Sequence, residues 1–181
     1  MLTLVLLDRP ARVWAFVSLA CVALLSFGLY LQHGVGLEPC PMCIVQRYVM
    51  VFVAVVAAAG TVWSGRRSSL FVGVLLTLVS GSGAYVAARQ SWLQWYPPEV
   101  VSCGRDFYGM IETFPLKRAI PMIFKGGGDC SAVDWTFLGG SIANWSFVCF
   151  VGIAMLVMVT TWRLWGSNDP MKAANDASFE A

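Results

Sequence analysis

The chain has 181 residues, of which 58% are hydrophobic and only 12% are charged, with a formal net charge of +2. So few charged side chains cannot cover the surface of a water-soluble globule of this size. The small net charge predicts neither nucleic-acid binding nor electrostatic steering of a charged partner. The composition therefore indicates an integral membrane protein in contact with a lipid bilayer.

Four uncharged runs predict membrane-spanning helices, because about 20 apolar residues cross the hydrocarbon core. We expect an all-α membrane protein, a four-transmembrane-helix bundle, whose single domain covers residues 1–165. A polar tail follows at 166–181. The predicted spans are approximately 13–31, 44–64, 68–88 and 143–162.

The first run could instead be a cleavable signal peptide, since Arg9 and Arg12 precede it. Its apolar stretch is longer than a usual signal core, and no small-residue cleavage site follows. An uncleaved first span is the favoured interpretation.

Four spans place both termini on one side of the membrane and the loops 32–43 and 89–141 on the other. Lys and Arg number six on the terminal side and five in the long loop, which favours cytoplasmic termini with the loops on the opposite side. The mixed apolar and basic pattern at 107–124 predicts either a short interfacial helix or a simple loop covering the bundle.

Cys40 and Cys43 form a CxxC motif at the start of the second span, where Pro41 indicates the first turn of a helix. A helix N-terminus favours the thiolate form of cysteine and so speeds thiol exchange. The loop that such a pair closes is too short to add much stability. We therefore expect a redox-active disulfide, Cys40–Cys43.

Arg47 follows Cys43 by four residues, so both project from one face of the helix. Its functional interpretation is that it stabilises a Cys43 thiolate and donates hydrogen bonds to a bound oxygen acceptor. The alternative is a plain interfacial anchor. Gln46 is a further candidate donor at the same site.

Cys103 and Cys130 lie in the long polar loop, and we expect them to form a second disulfide, since exposed free thiols rarely persist in an oxidising compartment. That disulfide could brace the loop or relay electrons to the CxxC pair. The cysteine spacing does not suit a zinc site, and no metal is expected. Two further cysteines, Cys21 and Cys149, lie within spans and are assigned to packing.

Several segments together resemble the disulfide bond formation protein B (DsbB) family over roughly residues 12–165. The shared features are four spans, a CxxC motif with Arg four residues after its second cysteine, and a second cysteine pair in the long loop. Three short segments also match, namely Leu93–Pro97, Gly128–Cys130 and Trp135–Gly139. Some members of this family carry a histidine close to a bound quinone molecule, and Gln90 stands at the matching position in this chain.

The resemblance implies a protein of the bacterial inner membrane that reoxidises a periplasmic DsbA-like thiol oxidase and passes electrons to membrane quinone, either ubiquinone or menaquinone. It implies catalytic roles for Cys40, Cys43, Cys103 and Cys130. A quinone site beside Cys43 and Arg47, with Gln46, is also implied.

Two alternatives remain at this point. A vitamin K epoxide reductase-like protein is also a four-span bundle with a CxxC, but its motif belongs near the last span. A non-enzymatic membrane protein would use its disulfides only to brace the loop.

Overall fold

A computed structural model of the chain describes residues 10–63, 65–97, 128–131 and 133–166. Among these described residues, four helices are long and apolar enough to cross a membrane, which confirms the four-helix membrane fold. The elements in chain order are α1 (Pro10–Gly34), α2 (Pro41–Val62), α3 (Arg66–Trp95), the single turn α4 (Gly128–Ser131), β1 (Thr136–Phe137), β2 (Gly140–Ser141) and α5 (Ile142–Gly166).

Several expectations fall outside the described residues. They are the position of Cys103 and its disulfide with Cys130, the interfacial helix or loop at 107–124, and the tail at 167–181.

The outer faces of the long helices carry large apolar side chains. Leu19 of α1 is 70% exposed, and Phe71 and Leu78 of α3 are 68% and 67% exposed. Apolar surface on this scale is unfavourable in water but matches the hydrocarbon of a bilayer. The exposed faces therefore agree with the membrane assignment made from the composition.

Helix α3 continues to Trp95, past the predicted end of the third span at residue 88. Arg89 limits the uncharged run, but a charged residue does not end a helix. The helix continues through Trp92, an aromatic residue suited to the membrane interface, and stops before Pro97. The first part of the loop predicted at 89–141 is therefore helical.

The bundle core is made of apolar side chains from all four long helices. Helix α3 approaches α5 closely at Gly83, where a Cβ atom would lie 2.5 Å from Phe150 Cε1. Ser80, one turn earlier on α3, is fully buried. Small residues at this interface let the two helix backbones come together. The other buried core residues are Val13, Trp14, Val17, Cys21, Met50, Val53, Ala54, Ala57, Val72, Leu76, Ala87, Ile153 and Val157.

The start of α3 is joined to the end of α5 by one side chain. Arg66 donates from Nε to the Leu164 carbonyl oxygen at 3.0 Å and from Nη2 to the Trp165 carbonyl oxygen at 3.2 Å. The last carbonyl groups of a helix have no partner within that helix, and a cation suits the negative end of the helix dipole. Arg66 therefore caps α5.

A small hairpin precedes α5. Its turn residues Leu138 and Gly139 have φ angles of 50° and 79°, the left-handed geometry of a tight two-residue turn. Trp145 Nε1 of α5 donates to the Phe137 carbonyl oxygen at 2.9 Å. Ser141 accepts a hydrogen bond from the Asn144 backbone N–H at 3.4 Å and so caps α5. These contacts fix the hairpin to the first turns of α5.

The close contact at Gly83 predicts a difference between two glycines of α3. Gly83→Ala should lower the thermal unfolding temperature in detergent, because overpacking of this kind destabilises by about 1–3 kcal/mol. Gly81→Ala is the matched control, since a Cβ there meets nothing within 4 Å. Equal unfolding temperatures for the two variants would contradict the close α3–α5 contact.

Candidate active site

The CxxC motif lies at the N-terminus of α2, which begins at Pro41. Cys40 is the N-cap residue, and its Sγ accepts a hydrogen bond from the Cys43 backbone N–H at 3.3 Å. The two sulfurs lie 2.7 Å apart and are not bonded in this structure. Only a small movement separates them from a disulfide.

Two buried glutamines stand beside the sulfur pair. Gln90 Nε2 of α3 donates to Cys40 Sγ at 3.3 Å and to Cys43 Sγ at 3.2 Å. Gln46 Nε2 of α2 donates to Gln90 Oε1 at 2.7 Å. Gln46 is 5% exposed and Gln90 is 3% exposed, so this pair of side-chain amides is enclosed by protein.

Arg47 joins α2 to α1. Its Nη1 donates to Gln32 Oε1, and its Nη2 donates to the Gly28 carbonyl oxygen at 3.1 Å. The guanidinium charge is close enough to act on the Cys43 sulfur. A guanidinium has more N–H groups than these two contacts use, so it can also donate to a ligand.

Cys130, in the single turn α4, reaches the same region. It is 1% exposed and packs in one cluster with Cys40, Met42, Val86 and Leu93. A hydrogen bond with the Cys130 thiol raises the pKa of Cys40 above its ordinary value, and a hydrogen bond with Cys43 and burial act in the same direction. Cys40 is therefore held as a thiol when the pair is reduced.

A cavity of about 630 Å³ lies next to the sulfurs and is bordered by all four long helices. Arg47, Gln46 and Gln90 line it together with Cys40 and Cys43. The other polar residues of the lining are Gln32, Glu38, Gln94, Asp134, Ser141 and Ser146. The rest of its wall is largely apolar, for example at Leu24, Leu25, Leu31, Met50 and Ile142. Cavities of this size with a few convergent polar groups are typical of small-molecule sites.

Aromatic rings form another part of the cavity wall. Phe27 meets Trp135 edge to face, and Trp135 stacks on Phe137, each with ring centroids 6.1 Å apart. Phe137 in turn contacts Trp145 at the same centroid distance. The four rings come from α1, the hairpin region and α5, and all of them line the cavity.

The structure brings most of the predicted site residues together. Cys40, Cys43, Gln46 and Arg47 line one cavity, and Cys130 packs against Cys40. Their roles stay predictions.

Cys21 is buried in the core, as its assignment to packing implies, but Cys149 lines the cavity. The apolar run that contains Cys149 predicts a span, but it does not indicate which face of that helix borders a cavity.

The sequence did not single out Gln32, Gly28 or the sulfur contacts of Gln90. The positions of Gln32 and Gln90 could have indicated them as site residues, since each is a polar residue at the end of a long apolar run.

Comparison with known proteins identifies the family. The family model described as disulfide bond formation protein DsbB matches residues 10–160. The chain belongs to the DsbB family. Disulfide bond formation protein B of Polaromonas sp. (strain JS666 / ATCC BAA-500) is 72% identical over 155 residues, which are 86% of this chain and 92% of the relative. The protein of the same description from Polaromonas naphthalenivorans (strain CJ2) is 67% identical over 88% of this chain and 95% of its own length.

Membership of the DsbB family makes the chain a disulfide oxidoreductase that acts in disulfide bond formation. It also agrees with the four apolar helices, because the family belongs to the bacterial inner membrane.

The environment of Cys40 predicts that the two thiols of the reduced CxxC differ in reactivity. The thiolate is the reactive form, and Cys40 is both buried and held as a thiol. When all cysteines of the protein are reduced, iodoacetamide at about pH 8 should therefore modify Cys43 faster than Cys40 by about tenfold or more, the ratio that one pKa unit produces. Peptide mass spectrometry of the quenched reaction measures both rates.

Cys130→Ala is the informative comparison for this measurement. It removes the thiol that bonds to Cys40, so modification of Cys40 should become faster while Cys43 changes less. Equal rates at Cys40 and Cys43 in the unaltered protein would contradict the assignment of Cys40 as the protonated partner.

Proposed function

We propose that this chain reoxidises a periplasmic DsbA-like dithiol oxidase and passes the electrons to membrane quinone, ubiquinone or menaquinone, thereby sustaining protein disulfide bond formation. The observation that supports it best is the cavity of about 630 Å³, which is lined both by the Cys43 sulfur and by Arg47. A dithiol beside a ligand-sized cavity can exchange electrons with a small molecule bound there.

The residues of the cavity fit a quinone. A quinone has a flat ring with carbonyl oxygens and an apolar tail, and the cavity combines hydrogen-bond donors at the dithiol with apolar and aromatic walls elsewhere. Arg47 and Gln46 would hold the ring oxygens, with Cys43 beside them. When bound, a quinone supplies an acceptor for two electrons and two protons.

The chain's cysteines give an order for thiol exchange. A thiolate of the reduced partner attacks Cys103, and the Cys103–Cys130 bond breaks with the electron pair leaving on Cys130. The Cys130 thiolate then attacks Cys40, and Cys43 leaves as a thiolate. The packing of Cys130 against Cys40 supports this order. Cys43 is also the sulfur that borders Arg47, whose positive charge suits a thiolate.

The alternatives are less well supported. In a vitamin K epoxide reductase-like protein the CxxC belongs near the last span, whereas here it precedes α2. A protein with purely structural disulfides would have no need of a cavity beside the pair. Membership of the DsbB family favours the enzyme over both.

The proposal is tested by anaerobic turnover of the purified full chain with a reduced DsbA-like partner and a soluble quinone. We expect two partner thiols to be consumed for each quinone, and Cys43→Ser or Cys103→Ser to abolish turnover. Cys21→Ala should retain it, because Cys21 is part of the core. Thiol oxidation that does not depend on quinone, or no oxidation at all, would overturn the proposal.

Arg47 should affect the quinone more than the partner protein. Arg47→Ala should raise the KM for quinone or lower turnover by about tenfold or more, because hydrogen bonds from charged groups are worth about 1.5–3 kcal/mol. Arg47→Lys should restore only part of this, since an ammonium cannot reproduce the planar fork of a guanidinium.

Arg66→Ala is a matched control for the loss of an arginine, because Arg66 caps α5 away from the dithiol. It should leave the KM for quinone unchanged. Unaltered quinone kinetics in Arg47→Ala would favour a plain interfacial anchor.

We also propose that both termini are cytoplasmic and that the redox cysteines face the periplasm, where a DsbA-like partner is found. Reporter fusions at Gly65 and Ala181 should then behave as cytoplasmic, and a fusion near Pro115 as periplasmic. A periplasmic C-terminus would contradict the proposed partner, because the dithiol would face the wrong compartment.

A further inference from the structure

A neutral amide donates to both sulfurs of the CxxC. Gln90 Nε2 lies 3.3 Å from Cys40 Sγ and 3.2 Å from Cys43 Sγ, so a single NH₂ group bridges the pair. The donor comes from α3, whereas both cysteines belong to the start of α2. The sulfur pair is therefore held by a neighbouring helix as well as by its own.

A hydrogen-bond donor at this position favours one redox state over the other. A thiolate is a strong acceptor, whereas the sulfurs of a disulfide are weak ones. Hydrogen bonds to a charged acceptor are roughly twice as strong as those between neutral groups, and they are strongest where water is excluded. Gln90 is 3% exposed, so its donation stabilises the reduced pair with its Cys43 thiolate more than the disulfide.

Gln46 determines which end of the Gln90 amide faces the sulfurs. Its Nε2 donates to Gln90 Oε1 at 2.7 Å, which requires the Gln90 oxygen to face Gln46 and directs Nε2 to the sulfurs. With Gln46 oriented as it is, reversing the Gln90 amide alone would place two NH₂ groups face to face and an oxygen lone pair against the sulfurs. Gln46 is itself 5% exposed, and a reversed amide would be left buried without a partner.

We propose that Gln90 is a catalytic residue that makes the Cys40–Cys43 disulfide a stronger oxidant by hydrogen-bonding the reduced pair, and that Gln46 is a positioning residue that orients the Gln90 amide. This inference rests on the proposed function only in taking Cys40–Cys43 as the redox-active pair. It assigns Gln46 a role toward Gln90 in addition to any contact with a quinone.

The equilibrium concerned is a two-electron exchange. Two molecules of reduced glutathione give up two electrons and form one glutathione disulfide, while the Cys40–Cys43 bond breaks and gains those electrons. One proton from glutathione stays on Cys40, and the other passes to the buffer when Cys43 remains a thiolate. Neither quinone nor the partner protein takes part, so the equilibrium depends only on glutathione and the chain's own cysteines, which are the same in every glutamine variant.

The experiment equilibrates the full-length protein in detergent, without quinone, in a series of glutathione redox buffers. Differential alkylation and mass spectrometry of the peptide with both Cys40 and Cys43 give the fraction reduced. Gln90→Met keeps the side-chain volume but removes the donor, and it should shift the equilibrium about tenfold toward the disulfide. Such a shift corresponds to a potential lower by about 30 mV.

Gln46→Met should shift the equilibrium in the same direction but by less, because the Gln90 donor remains without its orienting partner. Adding Gln46→Met to Gln90→Met should then change little further. Fully additive shifts in this cycle would overturn the positioning role, since residues that act through one another are not additive.

Gln94→Met is the matched control, because Gln94 is one turn along α3 and lines the same cavity but is bonded to Ser141. It should leave the equilibrium constant unchanged. A shift equal to that of Gln90→Met would overturn the proposal by showing a general effect of cavity polarity.

An unchanged equilibrium constant in a folded Gln90→Met protein would overturn the proposal directly. If that variant does not fold, Gln46→Met decides: a shift toward the disulfide supports the proposal and an unchanged constant overturns it. A failure of quinone-dependent turnover in the unaltered protein would count against the proposed function alone, because the glutathione equilibrium needs no quinone.

Discussion

A polar group inside a membrane-spanning bundle is costly unless the protein supplies its hydrogen-bond partner, because lipid offers none. This constraint organises the whole site. Arg47 of α2 is satisfied by Gln32 and by the Gly28 carbonyl of α1, and Gln46 is satisfied by Gln90 of α3. Each polar side chain therefore ties two helices together. The hydrogen bonds that these side chains make also hold them around the CxxC motif.

The start of α2 is where these pairings meet. Pro41 begins the helix, so its first free N–H groups and the positive end of its dipole lie beside the cysteines. Arg47 adds a full charge one turn further on, and α4 brings Cys130 against Cys40 from the other direction. Both cysteines border the cavity, but they differ in their other neighbours, since Cys40 packs against Cys130 and the charge of Arg47 acts on Cys43.

Much of this architecture could be predicted from the sequence. Hydropathy predicts four spans, because the bilayer demands long apolar runs, and the motif Cys40–Cys43 with Arg47 indicates the candidate site. What hydropathy cannot give is the rotation of each helix about its axis. For that reason the sequence assigns Cys149 to packing and does not reveal that it borders the cavity.

Contacts between helices were equally hard to predict. Gln46 lies one residue from Arg47, which marked it as a site residue, but nothing local indicated its bond to Gln90, 44 residues away. The aromatic wall of the cavity could not be predicted for the same reason, since Phe27 and Trp135 come together only when α1 and the segment before α5 are packed. Partners set by tertiary packing have no signature in a single sequence.

Arg66 shows how one residue can act at two stages in the life of a membrane protein. During insertion, before the helices have packed, it is a free positive charge in the connection between α2 and α3, and such charges bias which side of the membrane a connection stays on. Once α5 has arrived, the same guanidinium is bonded to the carbonyl groups at the end of that helix. Arg66 thus carries one of several positive charges on the predicted cytoplasmic side, beside Arg67, and later joins the third and last long helices, so that one residue contributes to both orientation and closure of the bundle without either depending on it alone.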